Sequence, residues 1–246
     1  MRIASKTDAG KIRRSNQDCY AAAELSGGVV WGVVCDGMGG ANGGNVASSG
    51  AVKVISDQIN TSYRAGMGPN SVKTMLESAV HAANAHIYDL SRSVDSLVGM
   101  GTTVVVAVIM NGMAHVVHAG DSRAYLIEKT DDQYTMTQIT KDHSVVGVMV
   151  ETGQLTESEA KADPRRNVIT RALGVDETIE IDYNEVALTQ GSSILLCTDG
   201  LTNYVQADDI LTVIRTAGFY EYPDRLIDLA NQNGGGDNIT ALVISE

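Results

Sequence analysis

Short runs rich in Val and Ile punctuate this chain at residues 29–35, 102–110, 113–119, 124–127, 194–197 and 239–244. They are bounded by Gly, Asp or Asn, which is the grammar of β-strands rather than of helix interiors. Asn111-Gly112, between two of them, is the two-residue signature of a tight hairpin, so those neighbours run antiparallel. Helical periodicity lies elsewhere. Over residues 71–90, Val72, Met75, Leu76, Ala79, Val80, Ala83, Ile87 and Leu90 keep the three-four spacing of one apolar face. Residues 45–59, 208–217 and 222–233 show the same pattern more weakly. The order is strands, two helices, a run of strands, a helical excursion, more strands, two helices and a last strand. That departs from strict βαβ alternation and predicts a layered α+β fold with antiparallel sheets. Repeats, low-complexity stretches and linkers are absent from the sequence, so residues 1–246 are expected to form one domain, with residues 142–175 an excursion from it.

With a single Trp and a single Phe, the core must be built from Val, Ile, Leu, Ala and Met. Thirty acidic against eighteen basic residues give a net charge of -12, which repels nucleic acid and anionic membrane surfaces. The first residues, MRIASKTDAGK, contain no apolar segment, and the longest apolar run, residues 104–110, is far short of the ~18 residues of a membrane span. A soluble cytoplasmic protein is expected, with no nucleic-acid partner and no membrane insertion. Cys19, Cys35 and Cys197 are odd in number and lack CxxC spacing, which argues against a disulfide framework or a thiolate zinc site. They read as small buried residues at strand ends, Cys197 alone being placed to share a face with a nearby aspartate, Asp199.

Five aspartates sit at element ends beside Gly, Asn or a short polar residue: Asp18 in SNQDCY, Asp36 in CDGMGG, Asp121 in AGDSRAY, Asp199 in TDGLTN and Asp237 in GGGDNIT. Taken singly, each is ordinary turn chemistry. Taken together, aspartates recurring at the ends of successive apolar strands suit a shared site at one edge of the sheets. Carboxylates so gathered repel one another unless a cation lies among them, and Mg²⁺ or Mn²⁺ accepts such oxygen ligands. The glycines beside them let carbonyls and water approach an ion. Rival sites are weaker. His81 and His86 are five apart rather than four, and His115 and His118 face opposite sides of a strand. GMGGANGG has Asn42 where a dinucleotide fingerprint needs its third glycine, no GxxxxGK[ST] occurs, and DGMGG lacks the alternating ligands of a calcium loop.

The segments TDAGKIRRSNQD, VVCDGMGGANGG, MGTTVVVAVI, HAGDSRAYLI, TKDHS, PRRNVITRALG, LLCTDGLTN and GGGDNITALVI, in this order, span nearly the whole chain. Together they resemble the metal-dependent protein phosphatases of the PPM type, also called protein phosphatase 2C-like, in their compact bacterial branch. The resemblance implies a four-layer α-β-β-α sandwich, two antiparallel sheets flanked by helix pairs, with residues 142–175 as a mobile flap beside the site. It implies a centre of two Mn²⁺ or Mg²⁺ ions with a weaker third. By position, Asp36 bridges the two main ions, the Gly37 carbonyl and Asp18 help hold one, Asp199 and Asp237 hold the other, and Asp121 with Asp199 binds the third. Arg13 matches the arginine that grips the substrate phosphate, its planar fork suited to two oxygens. The adjacent Arg14 reads as a surface salt bridge, and Arg165-Arg166 either as contacts for acidic phosphosubstrates or as a helix boundary pinned by salt bridges.

The implied activity is hydrolysis of phosphoserine and phosphothreonine in phosphorylated proteins, by direct attack of a metal-bridging water without a phosphoenzyme. It further implies a monomer that opposes a bacterial Ser/Thr kinase of eukaryotic type. One position departs from many eukaryotic members, which carry a His proposed as general acid where this chain has Met38. A thioether donates no proton, so the leaving group must be protonated from elsewhere. Two further readings stay open: a pseudoenzyme that keeps the fold as a regulatory module, and a phosphatase of small phosphomonoesters.

Overall fold

The computed structural model describes residues 1–130 and 133–245; the side chains at 41 and 42, including that of the fingerprint-breaking Asn42, lie outside the described residues. In chain order the strands are β1 (Arg2–Asp8), β2 (Asp18–Leu25), β3 (Val29–Met38), β4 (Gly101–Thr102), β5 (Val104–Met110), β6 (Met113–Ala119), β7 (Arg123–Thr130), β8 (Gln133–Gln138), β9 (Asp182–Ala187), β10 (Ser193–Cys197) and β11 (Ile239–Ser245). The helices are α1 (Gly40–Ser62), α2 (Pro69–Ser93), α3 (Val145–Glu151), α4 (Glu157–Ala162), α5 (Asp199–Thr202), α6 (Ala207–Thr216) and α7 (Tyr222–Gln232).

The strands form two antiparallel sheets, ordered β1-β11-β10-β7-β8 and β2-β3-β5-β6-β9, with β4 paired to β3. Alternation along β3 explains how they stack. Val30 and Val34 face the other sheet, where they meet Leu196, Leu242 and Ile244, while Val29, Trp31, Val33 and Cys35 face the helices α1 and α2. A third cluster, containing Leu195, Cys197, Ala241 and Val243, packs beneath α6 and α7. Helix pair, sheet, sheet, helix pair: each sheet is apolar on both faces, and four layers follow. The predicted α+β sandwich is therefore the observed one.

All six apolar runs are strands, with bounds moved by a few residues. The run 102–110 is broken at Thr103, whose N–H donates to the Asp36 carbonyl (2.9 Å) and whose hydroxyl accepts the Asp36 N–H (2.9 Å). The tight hairpin lies between β5 and β6, with Asn111 at φ 49° and Gly112 at φ 70°. The predicted helices are also present, α1 starting earlier, at Gly40. Strands β1, β2, β8 and β9 fall outside the apolar runs, and these four are the outer strands of the two sheets. An outer strand pairs on one side only and is partly solvated, so it needs no continuous apolar stretch.

Candidate metal centre

Antiparallel register brings the aspartates together. Asp18 opens β2 and stands opposite Asp36 near the end of β3. Asp121 follows β6, where the chain leaves one sheet for the other, Asp199 follows β10, and Asp237 precedes β11, which pairs antiparallel with β10. Sheet ends from both layers therefore meet at one edge. Asp36 lies at the centre: loss of water, and then the charges of Asp18, Asp199, Asp121 and Asp237, push its carboxyl well above the ordinary range. Burial likewise raises Asp18 and Asp121 to about 7, and raises Asp199, which is further opposed by Asp237 and accepts a hydrogen bond from the Asp36 carboxyl. Gathered without a cation, Asp18, Asp36, Asp121 and Asp199 take up protons more readily than ordinary carboxyls.

The oxygens of Asp18 test whether a cation fits. Its Oδ2 accepts hydrogen bonds from the hydroxyls of Thr198 (2.9 Å) and Thr240 (2.7 Å), whereas its buried Oδ1 has no partner among the described residues. Thr7 Oγ1 lies 2.8 Å from Thr240 Oγ1 and accepts from Asn16 Nδ2 at 2.8 Å, so a chain of donors fixes the carboxylate from behind. A carboxylate secured on one oxygen and bare on the other, next to four more, is suited to a hard divalent ion. Gly37 runs against Gly44 so closely that a Cβ at 37 would stand 2.0 Å from the Gly44 carbonyl oxygen. Only glycine permits that approach. The donor set, all oxygen with no thiol or imidazole, suits Mg²⁺ or Mn²⁺ better than a softer ion.

Arg13 reaches the same edge, donating from Nη2 to Asp237 Oδ2 at 2.8 Å. Arg14 corrects the sequence reading: it is exposed, and no salt bridge forms there among the described residues. The other arginine pair is divided. Arg165 holds Asp163 through Nε (2.9 Å) and Nη2 (2.8 Å), the pinning expected of a helix boundary, whereas the Arg166 guanidinium donates to the Lys161 carbonyl (3.2 Å) and forms no ion pair among the described residues. A 620 Å³ cleft runs from Asp121 and Asp199 to Val146, Lys161 and Arg166, between the carboxylates and the excursion. Two of the three cysteines are core residues as expected, while Cys19, on the outer strand β2, is half-buried against the cluster beneath α1 and α2. Cys35 and Cys197 are fully buried, burial pushing the Cys197 thiol up to about 12, and Cys197 packs beneath the second helix pair instead of facing the site with Asp199.

Several contributors carried no legible signal. Thr198 and Thr240 adjoin the aspartate motifs, but their partner, Asp18, is 180 and 222 residues away. Asn238 is another: its Oδ1 accepts the Gln17 N–H (2.8 Å), and its Nδ2 donates to the carbonyls of Ala9 (2.9 Å) and Ser15 (3.0 Å). A second cluster, His118, His143 and Asp182, resembles a metal site only by proximity. Its imidazoles stack 4.5 Å apart at 16°, so their in-plane lone pairs run nearly parallel instead of converging. Arg171 Nη1 lies 3.1 Å from His143 Nε2 and 2.9 Å from Asp182 Oδ1, in the place a cation would take. This cluster ties the root of the excursion to β9.

Comparison with known proteins identifies the family and the fold. The family described as Protein phosphatase 2C matches residues 11–241. The chain is 36% identical over 242 residues to the serine/threonine phosphatase stp of Listeria monocytogenes serotype 4b (strain F2365), covering 97% of this chain and 93% of that protein. It is 34% identical to the protein phosphatase PhpP of Streptococcus pneumoniae serotype 2 (strain D39 / NCTC 7466), covering 100% and 97%. Among solved structures, the serine/threonine phosphatase of S. agalactiae superposes with a TM-score of 0.89 at 34% identity, over 100% of this chain and 99% of that one. The catalytic domain of the serine threonine protein phosphatase PstP, solved in complex with two manganese ions, superposes with a TM-score of 0.84 at 32% identity, over 98% and 96%.

Proposed function

The chain belongs to the protein phosphatase 2C family, and from that premise we propose that it removes phosphate from phosphoserine and phosphothreonine in proteins, opposing a Ser/Thr kinase of eukaryotic type. The observation that carries the reading is the convergence of four carboxylates on a fifth, Asp36, with Asp18 presenting a bare oxygen and Arg13 beside them. Asp18, Asp36, the Gly37 carbonyl, Asp199 and Asp237 would hold two Mn²⁺ or Mg²⁺ ions, and Asp121 with Asp199 a third. When bound, the cations supply an activated water nucleophile and offset charge on the phosphoryl oxygens.

The chain's own groups do the rest. Arg13 is half-exposed and free to exchange Asp237 for two phosphate oxygens once that carboxylate is occupied, orienting phosphorus for in-line attack. Thr198 and Thr240 favour the ionised form of Asp18 by donating to its Oδ2, opposing the burial that raises it, and Thr103 fixes the Asp36 backbone through both its hydroxyl and its N–H. Displacement by water requires no phosphoenzyme, which accords with thiols buried in the cores and held protonated. Residues 142–175 act as a flap over the cleft.

The test is phosphate release from phosphothreonine and phosphotyrosine peptides with Mn²⁺, with and without chelator. Turnover of the phosphothreonine peptide that chelation abolishes is expected. Release unaffected by chelation overturns the reading, and hydrolysis of small phosphomonoesters alone redirects it to a non-protein substrate.

A further inference from the structure

Of the eighteen basic side chains, all but Lys11 and Arg14 have an ion pair, hydrogen bond or ring contact among the described residues. In a chain of charge -12, a cation without a partner is unusual. Two such cations flank Arg13, and between them Ile12 is 71% exposed. The segment is Lys11-Ile12-Arg13-Arg14, at the mouth of the carboxylate cluster.

This loop is secured rather than floppy. The Lys11 N–H donates to the Gly235 carbonyl (2.7 Å), and the Gly10 N–H to Asp8 Oδ1 (2.8 Å). The Asn238 side chain holds the Ala9 and Ser15 carbonyls and the Gln17 N–H. The Lys11 stem crosses Gly235, its Cγ 3.3 Å from where a Cβ at 235 would stand. Anchored at both ends, the loop presents two charges and one apolar side chain with little backbone entropy left to lose on binding. Because the cations lack an internal carboxylate, a substrate carboxylate need not displace one.

We infer that Lys11, Ile12 and Arg14 form a specificity rim for phosphoproteins with an acidic residue a few positions from the phosphorylated Thr or Ser, Ile12 packing on a neighbouring apolar side chain. The inference rests on the phosphatase reading and names its preferred substrate class. Arg13 takes the phosphate; its neighbours read the flank. The attraction acts at the surface and weakens with salt.

The test uses three phosphothreonine peptides of one length, flanked by Glu, Gln or Lys, with the full chain and Mn²⁺. Each is assayed for kcat/KM and, fluorescently labelled, for binding by anisotropy. The unmodified protein should prefer Glu over Lys flanks by about three- to tenfold, as one or two exposed charge contacts allow, and raised ionic strength should narrow the gap. The double variant K11E/R14E should invert the order. Equal binding of the three peptides, or a uniform loss in the variant across all peptides and p-nitrophenyl phosphate, overturns the rim. A preference for Glu flanks in binding with no turnover of any substrate overturns the phosphatase reading and leaves the rim standing.

Discussion

Asp18 shows how much one carboxylate depends on groups that no motif names. With Oδ2 held by Thr198 and Thr240 and Oδ1 bare, the hold on a cation proposed for Asp18 would rest on two hydroxyls. Thr240→Val removes one donor without changing the volume much, and Mn²⁺ affinity, measured by calorimetry, is expected to fall about 10- to 100-fold. Asp36→Asn replaces the most strongly perturbed carboxyl with a neutral amide: turnover should nearly vanish, while at neutral pH the cation-free protein melts at a higher temperature than its parent, because folding no longer has to protonate or desolvate a carboxylate there. Wild-type-like rates in that variant would refute the assignment of Asp36. Arg13→Ala should raise KM for phosphopeptides more than it lowers kcat. Unchanged kinetics would remove Arg13 from the phosphate site.

At the scale of elements, the centre is built from ends: of β2 and β3, of β10 and β11, and of the link after β6. Each strand is fixed by its sheet, so the positions of its terminal aspartates are inherited from packing far from the chemistry. The loop from 9 to 17 is the exception, since it belongs to neither sheet and is located by Asn238. Asn238→Asp keeps the shape but loses two donors and sets a carboxylate against two carbonyls. A loss of about 1–3 kcal/mol in denaturant unfolding is expected, together with a higher KM, because the loop carries Arg13. A variant with parental stability and KM would show that the loop is held by something else.

For the molecule as a whole, the cluster couples stability to protons and cations. Asp18 and Asp121 titrate near 7 in the cation-free fold against an ordinary value of 3.8. Between those limits the folded chain holds protons that the unfolded chain has released, so stability falls as pH rises from about 4 to about 7 and is not recovered above. With chelator present, the melting temperature should therefore be higher at pH 6 than at pH 8. Saturating Mn²⁺ should raise it at both, and more at pH 8, where no proton competes for the carboxylates. A cation-free protein that melts higher at pH 8 than at pH 6 would show that these groups ionise without penalty.

The central strands, the two long helices, the hairpin at Asn111-Gly112 and the five aspartates that gather at one edge were all legible in the order of residues. Those features are local: an apolar period, a turn dipeptide and a motif are read within a few residues. The outer strands escaped because a half-solvated edge leaves no continuous apolar run. It took the folded arrangement to show that Arg13 reaches Asp237 while Arg14 has no ion pair among the described residues, that Arg165 is paired and Arg166 is not among the same residues, and that Thr198 and Thr240 hold Asp18. Such pairings join residues that are distant in sequence or separate near-identical neighbours, and both depend on where the sheets place chain ends in space.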